Sequence, residues 1–153
     1  MRLRDNRRAM ISPPPVTTSR RRMSGVGTLL VAVYGILALA ATGRSVVQIL
    51  TDFPEAPLAY SLSALAAVVY ILATVSLVAP GARWYRVAWI TISFELLFVL
   101  TVGTLSIVDA SLFPRNTVWS YYGLGYLLVP LVLPFLGLFW LSRHRPGAQK
   151  AAP

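Results

Sequence analysis

Hydrophobic residues in this chain are gathered into four long runs, which are separated by short stretches that hold most of the charges and prolines. The runs cover residues 26–42, 58–79, 87–108 and 122–141. An α-helix rises about 1.5 Å per residue, so a run of about 20 residues crosses the ~30 Å hydrocarbon core of a bilayer. The pattern therefore predicts an all-α, polytopic membrane protein with four transmembrane helices.

Basic residues are divided unevenly among the segments that separate the runs. Seven of the 14 Lys and Arg residues precede the first run, and the three loops and the C-terminal tail hold one, two, one and three. If the four runs cross the membrane in turn, twelve of these residues fall on one side of it and two on the other. The positive-inside rule then places both termini in the cytoplasm. We expect an antiparallel four-helix bundle in the cell membrane.

The two ends of the chain are polar. Residues 1–24 contain two arginine clusters around the sequence SPPPVTTS, whose prolines oppose a helix, so we expect a disordered cytoplasmic tail. Arg20, Arg21 and Arg22 stand beside the first run, where we expect them to contact anionic lipid headgroups or to dock a partner protein. The predicted membrane domain comprises residues 25–142, and residues 143–153 form a short basic tail.

A signal peptide is the alternative interpretation of the first run. A basic segment, an apolar stretch and the sequence Ala38-Leu39-Ala40 imitate the three parts of a cleaved leader. The apolar stretch is longer than the usual 7–15 residues of a leader, and no soluble domain follows it. We therefore expect this segment to be retained as a helix.

Composition limits the chemistry that this chain offers. It has no cysteine and one histidine, His144, which excludes disulfides, thiol chemistry and a Cys/His metal site within the chain. No nucleotide-binding motif, catalytic triad or paired acidic metal site stands out. We expect no enzymatic activity, no metal and no cofactor. The net charge of +9 is concentrated in the N-terminal tail, which indicates membrane topology and not nucleic-acid binding.

Glu95 is the one carboxyl group inside a run, and it lies roughly 12 Å from the start of the third one by the helical rise. A charge at such a depth costs about 2.5–3.5 kcal/mol on insertion scales. We expect Glu95 to face the bundle interior in its neutral form. The face that would carry it inward is small or polar. It comprises Ala88, Thr91, Glu95, Val99, Val102 and Ser106.

Depth along antiparallel helices brings other polar and helix-breaking residues to the level of Glu95. These candidates are Tyr34, Tyr70, Pro130 and Pro134, with Thr74 about one turn nearer the cytoplasm. Glu95 would donate a hydrogen bond to a tyrosine hydroxyl or to a carbonyl freed by a proline kink in the fourth helix. Both a structural role and a role as proton carrier, cation ligand or partner contact stay open for it.

Charged residues of the two predicted outer loops form a second, weaker candidate. They are Arg44, Asp52, Glu55, Asp109 and Arg115. Solvated loop charges are the default interpretation, and an ion-pair cluster or a small binding site is the alternative.

The C-terminal half carries a resemblance to known proteins. It runs from Tyr85 through Leu141 and includes the sequences FELL, VGTLS, FP, TVWS and YGLGY. With these sequences the chain resembles small four-span integral membrane proteins of actinobacteria, a group without assigned chemistry. The resemblance implies a location and an architecture only. Small multidrug transporters are similar in having four spans and a membrane carboxylate, but they carry that residue in the first span.

Two functions remain after these exclusions. The first is a non-enzymatic accessory or assembly protein of the bacterial cytoplasmic membrane, which binds lipids and other membrane proteins or a second copy of itself. Small-residue stripes such as Ala59, Ser63 and Ala67 would provide the contact surface. The second is a small transporter or channel that uses Glu95 for proton or cation coupling.

Overall fold

The computed structural model describes residues 25–145, and within this range the protein is built of helices with no strand. The arginines at positions 20–22 and most of the C-terminal tail lie outside the described residues. The four α-helices are α1 (Gly25–Thr51), α2 (Pro57–Val78), α3 (Ala82–Val108) and α4 (Val129–Arg143). Three 3-10 helices join them: Phe53–Glu55, Ala110–Leu112 and Ser120–Tyr126. The all-α prediction is confirmed for this part of the chain.

Helices α1, α2 and α3 are each long and apolar enough to cross a membrane. A fourth crossing is reached if Ser120–Tyr126 and α4 are taken together as one broken span. A multi-pass membrane protein fits this architecture, with three crossings or up to four.

The helices continue beyond the apolar runs that predicted them. α1 extends past residue 42 to Thr51, and α3 begins at Ala82, five residues before the third run. Hydropathy marks the part of a helix that suits lipid, whereas a helix ends where its backbone pattern is interrupted. Pro54 follows α1 closely, and Gly81 precedes α3 with a φ of +113° that glycine adopts without strain.

The α1–α2 pair forms the most extensive helix contact of the bundle. The small stripe Ala59, Ser63 and Ala67 is buried inside the protein, at exposures of 0%, 0% and 5%. Small side chains let helix backbones approach closely, and here they serve the bundle itself. This stripe is therefore not available as a surface for another protein.

The fourth run is not the continuous helix over residues 122–141 that the sequence predicted. Its first part, Ser120–Tyr126, is itself irregular, because Tyr121, Tyr122 and Gly123 have left-handed backbone conformations. α4 begins only at Val129, after a bend of 98°. Leu127 and Leu128 have left-handed backbone conformations at the bend. Pro130 thus falls in the first turn of α4, where its missing N–H leaves no helical hydrogen bond unmade. Pro134 lies inside α4.

Close packing of α3 against the broken segment generates the first prediction. A Cβ added to Gly103 would lie 2.5 Å from Cδ1 and 2.8 Å from the backbone nitrogen of Tyr122. Gly103→Ala is therefore expected to lower the free energy of unfolding by about 1–3 kcal/mol, the usual cost of overpacking. Denaturant unfolding in detergent, followed by circular dichroism, measures the loss.

Gly43→Ala is the matched control for Gly103→Ala. Gly43 also lies inside a helix, but an added Cβ would meet nothing within 4 Å. Alanine favours a helix over glycine, so no loss of stability is expected here. Equal stability of the two variants would contradict the close approach of α3 to Tyr122.

Candidate functional site

Glu95 lies inside the bundle, and its side chain has no exposure to the surroundings. The six residues of the small or polar face of α3 are all buried in the structure. Ile92 and Gly103 share that buried side. The period of the helix therefore carries Glu95 inward together with the small residues that make room for its neighbours.

Tyr34 of α1 is the hydrogen-bond partner of Glu95. Its hydroxyl donates to Oε2 of Glu95 at 2.6 Å, and the tyrosine is itself fully buried. The bond ties α1 to α3 across the centre of the protein. The second carboxyl oxygen, Oε1, is buried and has no hydrogen-bond partner among residues 25–145.

Tyr70 of α2 and Trp119 continue the buried polar chain away from Glu95. The rings of Tyr34 and Tyr70 lie 6.2 Å apart between centroids, at a tilt of 47°. The Tyr70 hydroxyl accepts a hydrogen bond of 3.2 Å from the indole Nε1 of Trp119. All three side chains are fully buried. The indole N–H of Trp119 and the hydroxyl of Tyr34 thus both find acceptors in this buried cluster, as low-dielectric surroundings require.

A compact turn holds Trp119 in place. The Thr117 hydroxyl accepts from the backbone N–H groups of Trp119 and Ser120, at 3.1 and 3.0 Å. The Ser120 hydroxyl in turn accepts from the backbone N–H of Thr117 at 2.9 Å. These bonds satisfy the backbone of a buried loop. The sequence analysis did not include Trp119 in the site. The sequence Thr-x-x-Ser that contains it is a turn signal, which could have indicated a fixed position for this side chain.

Thr74 does not join the hydrogen bonds of Glu95 in the structure. Its hydroxyl donates to the backbone carbonyl of Tyr70 in its own helix, at 2.7 Å. Its methyl group packs towards α1, 3.9 Å from the position of a Cβ on Gly35. Thr74 thus lies beside the site as a packing residue.

Pro130 and Pro134 are buried, but neither residue supplies the bond that the sequence suggested. Pro130 packs against Gly123, where a Cβ would come within 2.8 Å of the proline ring. Among the described residues, no hydrogen bond joins Glu95 to α4. The helix instead approaches through Gly137, where a Cβ would lie 3.1 Å from Ile92 Cδ1 and 3.6 Å from the Tyr34 hydroxyl. Glycine at this position lets α4 close over the Tyr34–Glu95 pair.

Two cavities open near the two ends of the bundle. One of about 470 Å³ lies among the loops that follow α1 and α3, and one of about 450 Å³ lies beside the start of α3 and Arg145. Neither is lined by Glu95. Residues 25–145 contain no group of three or more His, Cys, Asp and Glu residues suited to a metal ion. The interior site thus offers one carboxyl group and three ring side chains, which is suited to hydrogen bonding and to carrying one proton.

Comparisons with protein-family models, with curated proteins and with solved structures gave no match to this chain. The resemblance of residues 85–141 to actinobacterial membrane proteins therefore stays a prediction.

The Tyr34–Glu95 bond generates the second prediction. Tyr34→Phe removes the hydroxyl and leaves Oε2 of Glu95 buried without its partner. The free energy of unfolding is expected to fall by about 1–3 kcal/mol, the cost of an unsatisfied buried polar group. The same denaturant unfolding in detergent measures the change.

Thr74→Val is the matched control, since it removes a hydroxyl that bonds only within its own helix. The loss expected for it is below about 1 kcal/mol. A loss for Tyr34→Phe no larger than that for Thr74→Val would show that the Tyr34–Glu95 bond does not hold the bundle together.

Proposed function

We propose that this protein is a non-enzymatic accessory or assembly protein of the bacterial cytoplasmic membrane, with both termini in the cytoplasm. It binds another integral membrane protein over the break at Leu127 and Leu128, between Ser120–Tyr126 and α4. The observation that carries this proposal is the exposure of leucine residues where the backbone is irregular, at that break.

The break lies at membrane depth in the proposed topology. α4 has 15 residues and is about 22 Å long, which is shorter than a ~30 Å hydrocarbon core. With Arg143 at the cytoplasmic interface, the bend falls within the outer half of the hydrocarbon layer. Irregular backbone at such a depth is tolerated only where protein or a water-filled cavity covers it.

The described part of the chain leaves the break uncovered. Leu127 is 90% exposed and Leu124 is 61% exposed. Leu127 and Leu128 also hold left-handed conformations, which cost an L-residue about 1–2 kcal/mol each. The N–H groups of Leu127 and Leu128 donate within the segment, to the carbonyls of Leu124 and Gly123. A helix of a neighbouring membrane protein would therefore pack on the exposed leucine side chains and favour the bent form. A second copy of this chain is the alternative occupant.

The interior of the bundle offers no contact surface to a partner. Glu95 is bonded to Tyr34 inside the protein, so its carboxyl is not offered to a partner at the surface. The small stripe of α2 is likewise used internally. What the protein presents to its neighbours is the outer side of its helices and the break.

Cysteine cross-linking tests the proposed surface, because the chain has no cysteine of its own. Leu127→Cys is expected to cross-link to a second membrane protein in native membranes, because the partner would cover Leu127. The measurement is the mass and identity of the adduct formed with a short thiol-reactive photo-cross-linker.

Leu39→Cys is the matched control, since Leu39 is also a well-exposed leucine, at 78%, and lies on α1 away from the break. It is expected to give no stoichiometric adduct. An adduct with a second copy would make the surface a homodimer interface. Labelling of Leu127→Cys by lipid-soluble reagents alone, with no protein adduct, would overturn the accessory function.

One observation favours transport as a second candidate: Oε1 of Glu95 is buried and has no partner among residues 25–145. A carboxyl oxygen of this kind is available to a proton or a cation. We nevertheless expect the purified protein in sealed vesicles to pass protons no faster than protein-free vesicles, as a pH-sensitive dye would report. A flux that Glu95→Gln abolishes would replace the accessory function by transport.

A further inference from the structure

The outer loops enclose a polar cavity of about 470 Å³, which is a size typical of small-ligand sites. α1 contributes Arg44 and Gln48 to its wall, and the segment after α1 contributes Asp52 and Glu55. Arg115 enters from the loop between α3 and α4. Of the loop charges singled out in the sequence, only Asp109 lies elsewhere, where it accepts a hydrogen bond from the backbone N–H of Ser111.

One ion pair fixes the rim of this cavity. Arg115 Nη2 lies 2.9 Å from Glu55 Oε2, and the bond to Glu55 raises the pKa of Arg115. Both side chains are more than half exposed, so the pair contributes little to stability. Its effect is geometric: it joins the first outer loop to the second.

The other two charges of the cavity are not paired with each other. Arg44 donates to the backbone carbonyl of Asn116 at 2.7 Å and to the Tyr126 hydroxyl at 3.4 Å, and both acceptors are neutral. Asp52 accepts a hydrogen bond of 2.6 Å from the hydroxyl of Thr51, and this donor is neutral as well. Among the described residues, neither Arg44 nor Asp52 has an oppositely charged partner within salt-bridge distance. Asp52 and Arg115 attract each other across the cavity without forming an ion pair. The cavity thus holds one cation, Arg44, and one anion, Asp52, that form no ion pair within the described residues.

Gln48 also contributes to the wall of the cavity. Its side-chain Oε1 has almost no accessible surface, so that atom does not face a ligand in the cavity. Recognition of a ligand here therefore depends on Arg44 and Asp52.

We propose that this cavity binds a small zwitterion, with its anionic group at Arg44 and its primary ammonium at Asp52. α1 is 27 residues and about 40 Å long, so its last turns extend beyond a ~30 Å hydrocarbon core to the level of the headgroups. Phosphoethanolamine has the required chemistry, both as a free solute and as the headgroup of a phospholipid. This ligand site is separate from the surface at the break and does not depend on the partner proposed for it.

The test is calorimetric titration of the purified protein in detergent with O-phosphoethanolamine. Ethanolamine alone and inorganic phosphate alone serve as half-ligands. We expect both half-ligands to bind at least tenfold more weakly than the zwitterion. Asp52→Asn is expected to weaken the zwitterion about tenfold, because it removes one charged hydrogen bond. Asp109→Asn removes an outer-loop charge away from the cavity and should leave the affinity unchanged.

Arg44→Gln is the second variant and removes the cation that would hold the anionic group. It also removes the hydrogen bond to Asn116, which could unfold the loop. Asp52→Asn leaves that bond in place, so it keeps the test decisive. Lipid nanodiscs distinguish the two sources of the ligand. If the protein retains phosphatidylethanolamine in preference to phosphatidylcholine during delipidation, and Asp52→Asn loses this preference, the site binds the lipid headgroup. Binding of the free zwitterion without lipid retention assigns it to a solute. Equal affinity for the zwitterion and its half-ligands, with no lipid preference, would overturn the proposal.

Discussion

A carboxyl group that is buried among apolar helices has to find its hydrogen bonds within the protein, and Glu95 does so through one of its two oxygens. The partner is Tyr34, which reaches across from α1 to α3. Its ring lies against that of Tyr70, which receives the indole N–H of Trp119. The polar residues at the centre thus connect three helices and a loop. Because unsatisfied polar groups are costly in this environment, each of these contacts also fixes the helix that carries it.

Glycine and proline make this arrangement sterically possible. Gly137 lets α4 approach the Tyr34–Glu95 pair, and Gly103 lets the broken segment approach α3 through Tyr122. Gly123 has a φ of +79° and packs against Pro130, so the chain turns sharply before α4 begins. The bend is therefore a consequence of close packing on both sides of it, and Leu127 is left on its outer side.

Residue depth was enough to bring Tyr34, Tyr70 and Glu95 together from the sequence, because antiparallel spans share a fixed rise per residue. The same counting assumed that the fourth run was one helix, which is wrong for Pro130, because this residue lies in the first turn of α4. Left-handed leucines at positions 127 and 128 have no composition signal of their own, because leucine is a strong helix former. Trp119 was also missed, since a tryptophan near a run's end is typical of an interface anchor. Tertiary packing, and not local propensity, decided each of these positions.

The break and the outer cavity are joined by one residue. Arg44 lines the cavity and donates to the hydroxyl of Tyr126, the last residue of the 3-10 helix before the bend. An anion that takes a hydrogen bond from Arg44 competes with Tyr126 for the same guanidinium. If the proposed ligand and the proposed partner both act on this contact, thermodynamic linkage makes the effect of each on the affinity for the other equal. At 3.4 Å the Arg44–Tyr126 contact is long for a hydrogen bond, so its rearrangement costs little and the coupling it transmits is correspondingly small.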